Sequence, residues 1–419
     1  MMKAYEKGLV TEEQIRLSAV RLFTARYMLG LMEGSEYDAI PYTAVECREH
    51  IAKAREASEK SCVLLKNDGM LPLDKNKLET IAVIGPNANS RLSLIGNYHG
   101  TSSRYVTVLE GIQDELGDDV RVLYAQGSHL FRNREENLGQ PDDRIAEAIA
   151  VAEIADAVVL VVGLDETLEG EEGDTGNADA SGDKLSLLLP EAQRKLMDAV
   201  LAVGKPTTIV LMAGSAIDLG DAAEKANAVL LPWYPGARGG KTVADILFGK
   251  VSPSGKLPVT FYHNDQLALM PEFTDYSMKG RTYRYFEHEP LYPFGYGLTY
   301  GDVYVEEAKA EKQDEKIIVK ATVKNAGAAN TQDVVQVYIQ NEGSEHAPLN
   351  PRLCGFVRVS CPAGKTADVE IEIDNKRLLV VNDQGEWVSE GKPVLYVGVS
   401  QPDSRSLALT GHACINIAL

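Results

Sequence analysis

From residue 79 to about 250 the chain repeats one pattern: short apolar, β-branched runs bounded by Gly or Pro, separated by stretches of helical periodicity. The runs are Thr80-Ile-Ala-Val-Ile-Gly-Pro86, Val120-Arg-Val-Leu-Tyr124, Ala157 to Gly163, Thr207-Thr-Ile-Val-Leu-Met-Ala213 and Ala228-Val-Leu-Leu-Pro232. A strand that is apolar on both faces is buried on both. Helix-length connections between such strands make the sheet mostly parallel, with helices on both faces, which is an α/β sandwich. Helices are expected over 143–155, 190–203 and 239–248.

After Gly301 the pattern changes to period-two alternation without helices, in 316–323, 333–339, 367–373 and 394–399. With Gly, Asn and Pro turns between them, these segments predict a second domain, a β-sandwich over 302–419. Residues 251–301, rich in Pro, Gly and Tyr, read as a linker wrapping the α/β domain, because its aromatics need burial. Upstream, residues 11–34 predict an amphipathic helix capped by Thr11 and closed by Gly30, and 46–66 predict a second helix running into Cys62-Val-Leu-Leu-Lys66. The expected divisions are therefore 1–45, 46–250, 251–301 and 302–419.

The 419 residues are too many for one core. Sixty-one acidic against 42 basic side chains give a field that repels phosphate backbones and anionic lipid, so neither nucleic acid nor membrane is an expected partner. Cys47, Cys62, Cys354, Cys361 and Cys414 lie far apart, without C-x-x-C or metal-ligand spacing, and read as small hydrophobes in a reducing compartment. The start of the chain lacks a signal-peptide core and no segment approaches a membrane span, so a cytoplasmic location is expected.

Chemistry concentrates just after Gly163, in Leu168-Glu169-Gly170-Glu171-Glu172-Gly173-Asp174. A carboxylate-dense loop at the end of a strand of a parallel sheet stands where open α/β sheets place ligands, and suits a neutral polar substrate. Read on its own, the loop is a solvated acidic turn. Acid/base chemistry on an acetal also needs a second carboxylate across the scissile bond, and no equally placed partner is evident.

Six segments in order carry a resemblance. Lys60-Ser-Cys-Val-Leu-Leu-Lys-Asn67 with Leu71-Pro-Leu73, Ile81-Ala-Val-Ile-Gly-Pro-Asn87, Trp233-Tyr-Pro-Gly-Ala-Arg-Gly-Gly240, Ala244-Asp-Ile-Leu-Phe-Gly249, Pro253-Ser-Gly-Lys-Leu-Pro-Val-Thr-Phe261 and Tyr292-Pro-Phe-Gly-Tyr-Gly-Leu-Thr-Tyr300 closely resemble the carboxyl-terminal part of glycoside hydrolase family 3. The resemblance implies a TIM-type barrel, an α/β sandwich and a fibronectin type III-like domain, of which only the barrel's end, in 1–45, would be present here.

It further implies a retaining β-glycosidase of the β-xylosidase or β-glucosidase type, closer to the former, acting without a cofactor on β-linked xylo- or gluco-oligosaccharides. An Asp of the barrel would be the nucleophile and a glutamate of the acidic loop the acid/base. By motif position that glutamate is Glu169, with Glu172 and Glu171 as alternatives; crowding by neighbouring carboxylates would raise its pKa toward working pH. Tyr98 would offer a ring to the leaving-group sugar or else be a core tyrosine, with His99 beside it a structural donor. Arg281 would organise the acid loop or anchor the linker. Asn177 to Asp183 has the look of a calcium loop, but Leu188 stands where its bidentate Glu belongs, so no metal is expected.

The family's nucleophile motif is missing from these residues, and a retaining mechanism needs both carboxyl groups about 5 to 5.5 Å apart. The chain therefore reads as half of an active site: a truncated product, or one half of a split enzyme completed by a separate barrel chain. A catalytically inactive carbohydrate-binding or protein-interaction remnant is the alternative.

Overall fold

The computed structural model describes residues 1–170 and 184–419. Two compact units divide it, Met1–Lys53 and Ala54–Leu419.

In the first unit α1 (Met2–Glu6) is followed by α2 (Glu12–Met28). Thr11 caps α2 as its sequence predicts: its hydroxyl accepts from the Gln14 N–H while the Gln14 side chain returns to the Thr11 N–H. The helix stops at Met28, short of residue 34. It is not amphipathic, since apolar and charged side chains are spread round it and none is buried. A third helix, α3 (Arg48–Ser61), begins here and runs into the second unit.

The second unit starts with the sheet formed by β1 (Val63–Asn67), β2 (Thr80–Ile84), β3 (Arg121–Ala125), β4 (Ala157–Gly163), β5 (Thr207–Met212) and β6 (Ala228–Leu231). Their order is β1-β6-β5-β4-β2-β3, parallel except for β1, which pairs antiparallel with β6 at one edge. Residues 63–66, expected to continue a helix, are thus a buried edge strand. Alternate residues feed two cores. Ala82, Ile84, Val158, Leu160, Ile209 and Leu211 face α5 (Ile145–Ile154) and α6 (Glu191–Ala202). Ile81, Val83, Val159, Val161, Val210 and Met212 face α4 (Val108–Leu116) and α8 (Gly239–Leu247). The short α7 (Asp221–Lys225) precedes β6.

Phe261, Tyr292 and Tyr296 of the following segment are buried in the first of these cores. The Tyr296 hydroxyl donates to the Leu65 carbonyl at 2.9 Å, and that of Tyr300 to Ile246 at 2.7 Å. This segment also holds α9 (Thr282–Tyr285).

The carboxyl-terminal part is a two-sheet sandwich. Strands β7 (Val303–Gln313), β8 (Lys316–Asn325), β9 (Thr331–Glu342), β10 (Arg352–Cys361), β11 (Thr366–Asp374), the short β12 (Val380–Val381) and β13 (Trp387–Val388), then β14 (Lys392–Gly398) and β15 (Ile415–Ala418) appear in order. One sheet runs β10-β9-β14-β15, and the facing one β11-β8-β7. Val319, Val335, Val337, Ile373, Leu395 and Val397 fill the space between. Contrary to the all-strand expectation, α10 (Ser404–Thr410) interrupts it, capped by Asp403.

The five cysteines are unpaired. Burial pushes the thiols of Cys62, Cys354 and Cys414 up to about 12, which leaves them inert. No described helix is long and apolar enough to cross a membrane.

Candidate active site

Four strand ends on the carboxyl edge of the parallel sheet supply the site, as the topology of such sheets leads one to expect. At β4, the amide of Gln193, wholly buried, fixes the last residue: its Oε1 accepts the Gly163 N–H at 2.8 Å, and its Nε2 donates to the carbonyls of Gly163 and Leu130 at 2.7 Å each. Asn87, beyond β2, donates to the Leu164 carbonyl at 3.0 Å. Asp165 then closes a single turn. Its Oδ1 accepts from the Thr167 N–H and hydroxyl at 2.9 and 2.6 Å, and its carbonyl accepts from the Leu168 and Glu169 N–H groups at 3.0 and 2.9 Å.

That turn aims Glu169 inward. Its Oε2 accepts the Gly214 N–H at 2.7 Å and the Tyr234 hydroxyl; its Oε1 accepts the Ser215 hydroxyl and lies 3.6 Å from the Lys184 ammonium. The Glu169 side chain is only 11% exposed. Gly214 and Ser215 follow β5, and Tyr234 follows β6. Trp233 bridges to Tyr234 at φ +59°, a strained value for a bulky residue, with its indole N–H on the Ser61 carbonyl at 3.1 Å.

Burial, and then the Glu169 carboxylate, push the Tyr234 phenol well above its ordinary range. Lys184 is pulled below its ordinary value by burial, against the pull of Glu169. Among the described residues, the groups touching Glu169 are three hydrogen-bond donors and a cation; the carboxylates expected to crowd it, at 171, 172 and 174, lie outside the described residues. Glu171 and Glu172, the other two candidates, lie outside the described residues, as does the segment from Asn177 to Asp183.

Tyr98 is no core residue: its side chain lies out in solvent, 81% exposed, at φ +56°. His99 pairs with Glu166 at 2.9 Å and with the Gly100 carbonyl at 3.0 Å. These two, the carbonyl foremost, raise its pKa. Arg281 donates to the carbonyls of Pro271 and Glu272 at 3.1 and 2.6 Å, holding together the segment after α/β sheet and before the sandwich. Among the described residues no group of three or more His, Cys, Asp or Glu is placed to hold a metal.

Sequence reasoning missed Lys184, Ser215 and the part played by Tyr234. Tyr234 stood inside a recognised motif with no role attached. Nothing near Lys184 or Ser215 in the sequence signals that they meet.

Residues 62–300 match the family model described as glycosyl hydrolase family 3 C-terminal domain, and 333–401 match a fibronectin type III-like domain. The chain is 32% identical to a periplasmic beta-glucosidase of Salmonella typhimurium, over 94% of its own length and 55% of the relative's. It is 34% identical to a beta-xylosidase of Formosa agariphila, over 93% and 54%. Among solved structures, a β-glucosidase from Erythrobacter marinus is similar over all of this chain and 57% of its own, with TM-score 0.80 and 30% identity. An exo-beta-xylosidase in complex with a xylobiose aziridine probe gives a TM-score of 0.82 at 26% identity, over 100% and 55%. The chain spans about half the length of the curated relatives it matches.

Proposed function

We infer that this chain, which belongs to glycoside hydrolase family 3, is the carboxyl-terminal portion of a retaining, exo-acting β-glycosidase that cleaves O-glycosidic bonds at the non-reducing end of β-xylosides or β-glucosides. Its contribution is the general acid/base, from the carboxylate loop that begins at Leu168. The observation that carries the reading is the fastening of that loop's start at the carboxyl edge of the parallel sheet, by groups from the ends of two neighbouring strands.

In the reaction a carboxylate of the barrel attacks the anomeric carbon while the acid gives its proton to the departing oxygen, so the glycosyl–oxygen bond breaks as the glycosyl–enzyme ester forms. Water, deprotonated by the same group, then opens the ester and returns the proton. The nucleophile would come from a barrel outside these residues, which makes the chain inactive alone. The exposed ring of Tyr98 suits stacking against the leaving-group sugar. The contacts of Arg281 with two backbone carbonyls favour an anchoring role.

The test is hydrolysis of aryl β-xyloside and aryl β-glucoside by the chain, alone and mixed with a family 3 barrel domain. Turnover only in the mixture is expected, and the preferred sugar assigns the branch. Turnover by the chain alone would mean that it carries its own nucleophile. Sugar binding without turnover in either case would mark an inactive carbohydrate-binding remnant.

A further inference from the structure

We propose that Glu169 is not the proton donor but a positioning residue, the centre of a clasp with Lys184, Ser215 and Tyr234 that holds Glu169 and Lys184, one on either side of residues 171–183 in sequence, against the ends of β5 and β6. The inference rests on the glycosidase reading for its catalytic consequence, and on geometry alone for the clasp.

Hydrogen-bond direction separates the two roles. A general acid must carry its proton on an oxygen turned toward the leaving group. A carboxylate offers about four lone-pair sites, and at Glu169 three are occupied by donors that cannot reverse. The Gly214 N–H is a backbone group and only donates. Ser215 accepts from the Lys184 ammonium, so its own hydrogen goes to Glu169. Tyr234 stays protonated because burial and Glu169 itself oppose its ionisation. The Lys184 ammonium lies over the remaining side of Oε1 at 3.6 Å. Among the described residues alone, these contacts already leave the carboxyl group no open oxygen on which to hold a transferable proton.

The same contacts tie distant segments together. Glu169 and Lys184 flank residues 170–183, Ser215 follows β5 and Tyr234 follows β6. Lys184 also donates to the Ala216 carbonyl at 3.4 Å. One carboxylate therefore joins three strand ends at the edge where the chemistry is proposed, and transfer of the proton falls to another carboxyl group.

Two readouts test this. The first needs no catalysis: residues 170–183 contain no Lys or Arg, so tryptic cleavage after Lys184, read by mass spectrometry on the full chain, reports how tightly that residue is held. Glu169→Gln and Tyr234→Phe are expected to speed that cleavage at least tenfold; an unchanged rate would overturn the clasp. The second uses the chain completed by a barrel domain. Glu169→Gln and Lys184→Met are expected to lower kcat by a similar factor, about 100-fold for a misplaced catalytic group, with the alkaline limb of the pH–rate profile kept and no rescue by azide. Lys184→Arg should recover much of the loss. Disappearance of the alkaline limb in Glu169→Gln, with azide restoring turnover as glycosyl azide, would make Glu169 the acid/base and overturn the proposal. Absence of turnover in the unsubstituted mixture would count against the glycosidase reading, and cleavage after Lys184 would still decide the clasp.

Discussion

Tyr234 reaches Glu169 because two glycines make room for the Cδ2–Cε2 edge of its ring. A Cβ on Gly214 would stand 2.9 Å from its Cε2 and 3.2 Å from Glu169 Oε2, and one on Gly96, at φ +60°, would stand 2.5 Å from its Cδ2. Either substitution must move the ring, and with it the hydroxyl on Glu169. Gly214→Ala is expected to cost about 1–3 kcal/mol, the range for overpacking a well-filled site, read as a lower urea midpoint at unchanged m-value. Gly96→Ala should cost more, since the left-handed backbone adds its own penalty. Equal midpoints for Gly214→Ala and the parent would mean that the ring is not confined. Tyr98→Ala is the contrasting case: with most of its side chain in solvent, it should change stability by less than about 0.5 kcal/mol and act on the KM of the completed enzyme, which calorimetry and kinetics together can separate.

At the scale of elements, the sheet was legible because its strands are apolar on both faces, a pattern few other settings allow, and the helices over 145–154, 191–202 and 239–247 followed from periodicity. Helix α4 was not, since Val106-Thr107-Val108 favours extended chain and Gly111 weakens a helix from its middle. The structure supplies the reason for that glycine: its Cβ would lie 2.1 Å from the Gly240 carbonyl oxygen of α8. Strand β1 was hidden because four apolar residues after a helix read equally well as its last turn. In the site, local sequence gave the acidic loop but could not show that its first glutamate turns inward, because that depends on Gly214, Ser215 and Tyr234 from other strand ends. Another long-range pair, Lys256 on Asp333 of β9 at 2.7 Å, ties the segment after the α/β sheet to the sandwich with both side chains largely buried. Lys256→Met strands the carboxylate and should cost about 3–5 kcal/mol near neutral pH. Burial already raises the Asp333 pKa, against the pull of Lys256. Without the lysine it rises further, so the neutral form is favoured in the fold. The cost should therefore be smallest below the unfolded carboxyl's pKa and grow as pH rises toward the folded value. A loss of stability independent of pH would refute this account.

Among the described residues, the first unit leaves many large apolar side chains exposed. No residue of α2 is buried, and Leu17, Val20, Leu22, Phe23, Tyr27 and Met28, with Leu29, Leu31 and Met32 just beyond, are all exposed. Exposed apolar side chains in such number are candidates for contact with another surface, and on the reading proposed above that surface is a barrel domain, the chain spanning about half the length of the curated relatives it matches. Opposing any association of the bare chain with itself is a net charge of −19, whose repulsion weakens as salt shortens the screening length from about 30 Å at 0.01 M to about 8 Å at 0.15 M. Self-association of the chain should accordingly strengthen with ionic strength, the reverse of what an electrostatic interface would do. Sedimentation velocity at several protein and salt concentrations measures it directly. Replacing Leu22, Phe23 and Met28 together by serine should abolish the association, and an added barrel domain should compete it away. A monomer at every salt concentration would show that these side chains are not adhesive, and association that weakens with salt would place the contact on charged surface elsewhere in the chain.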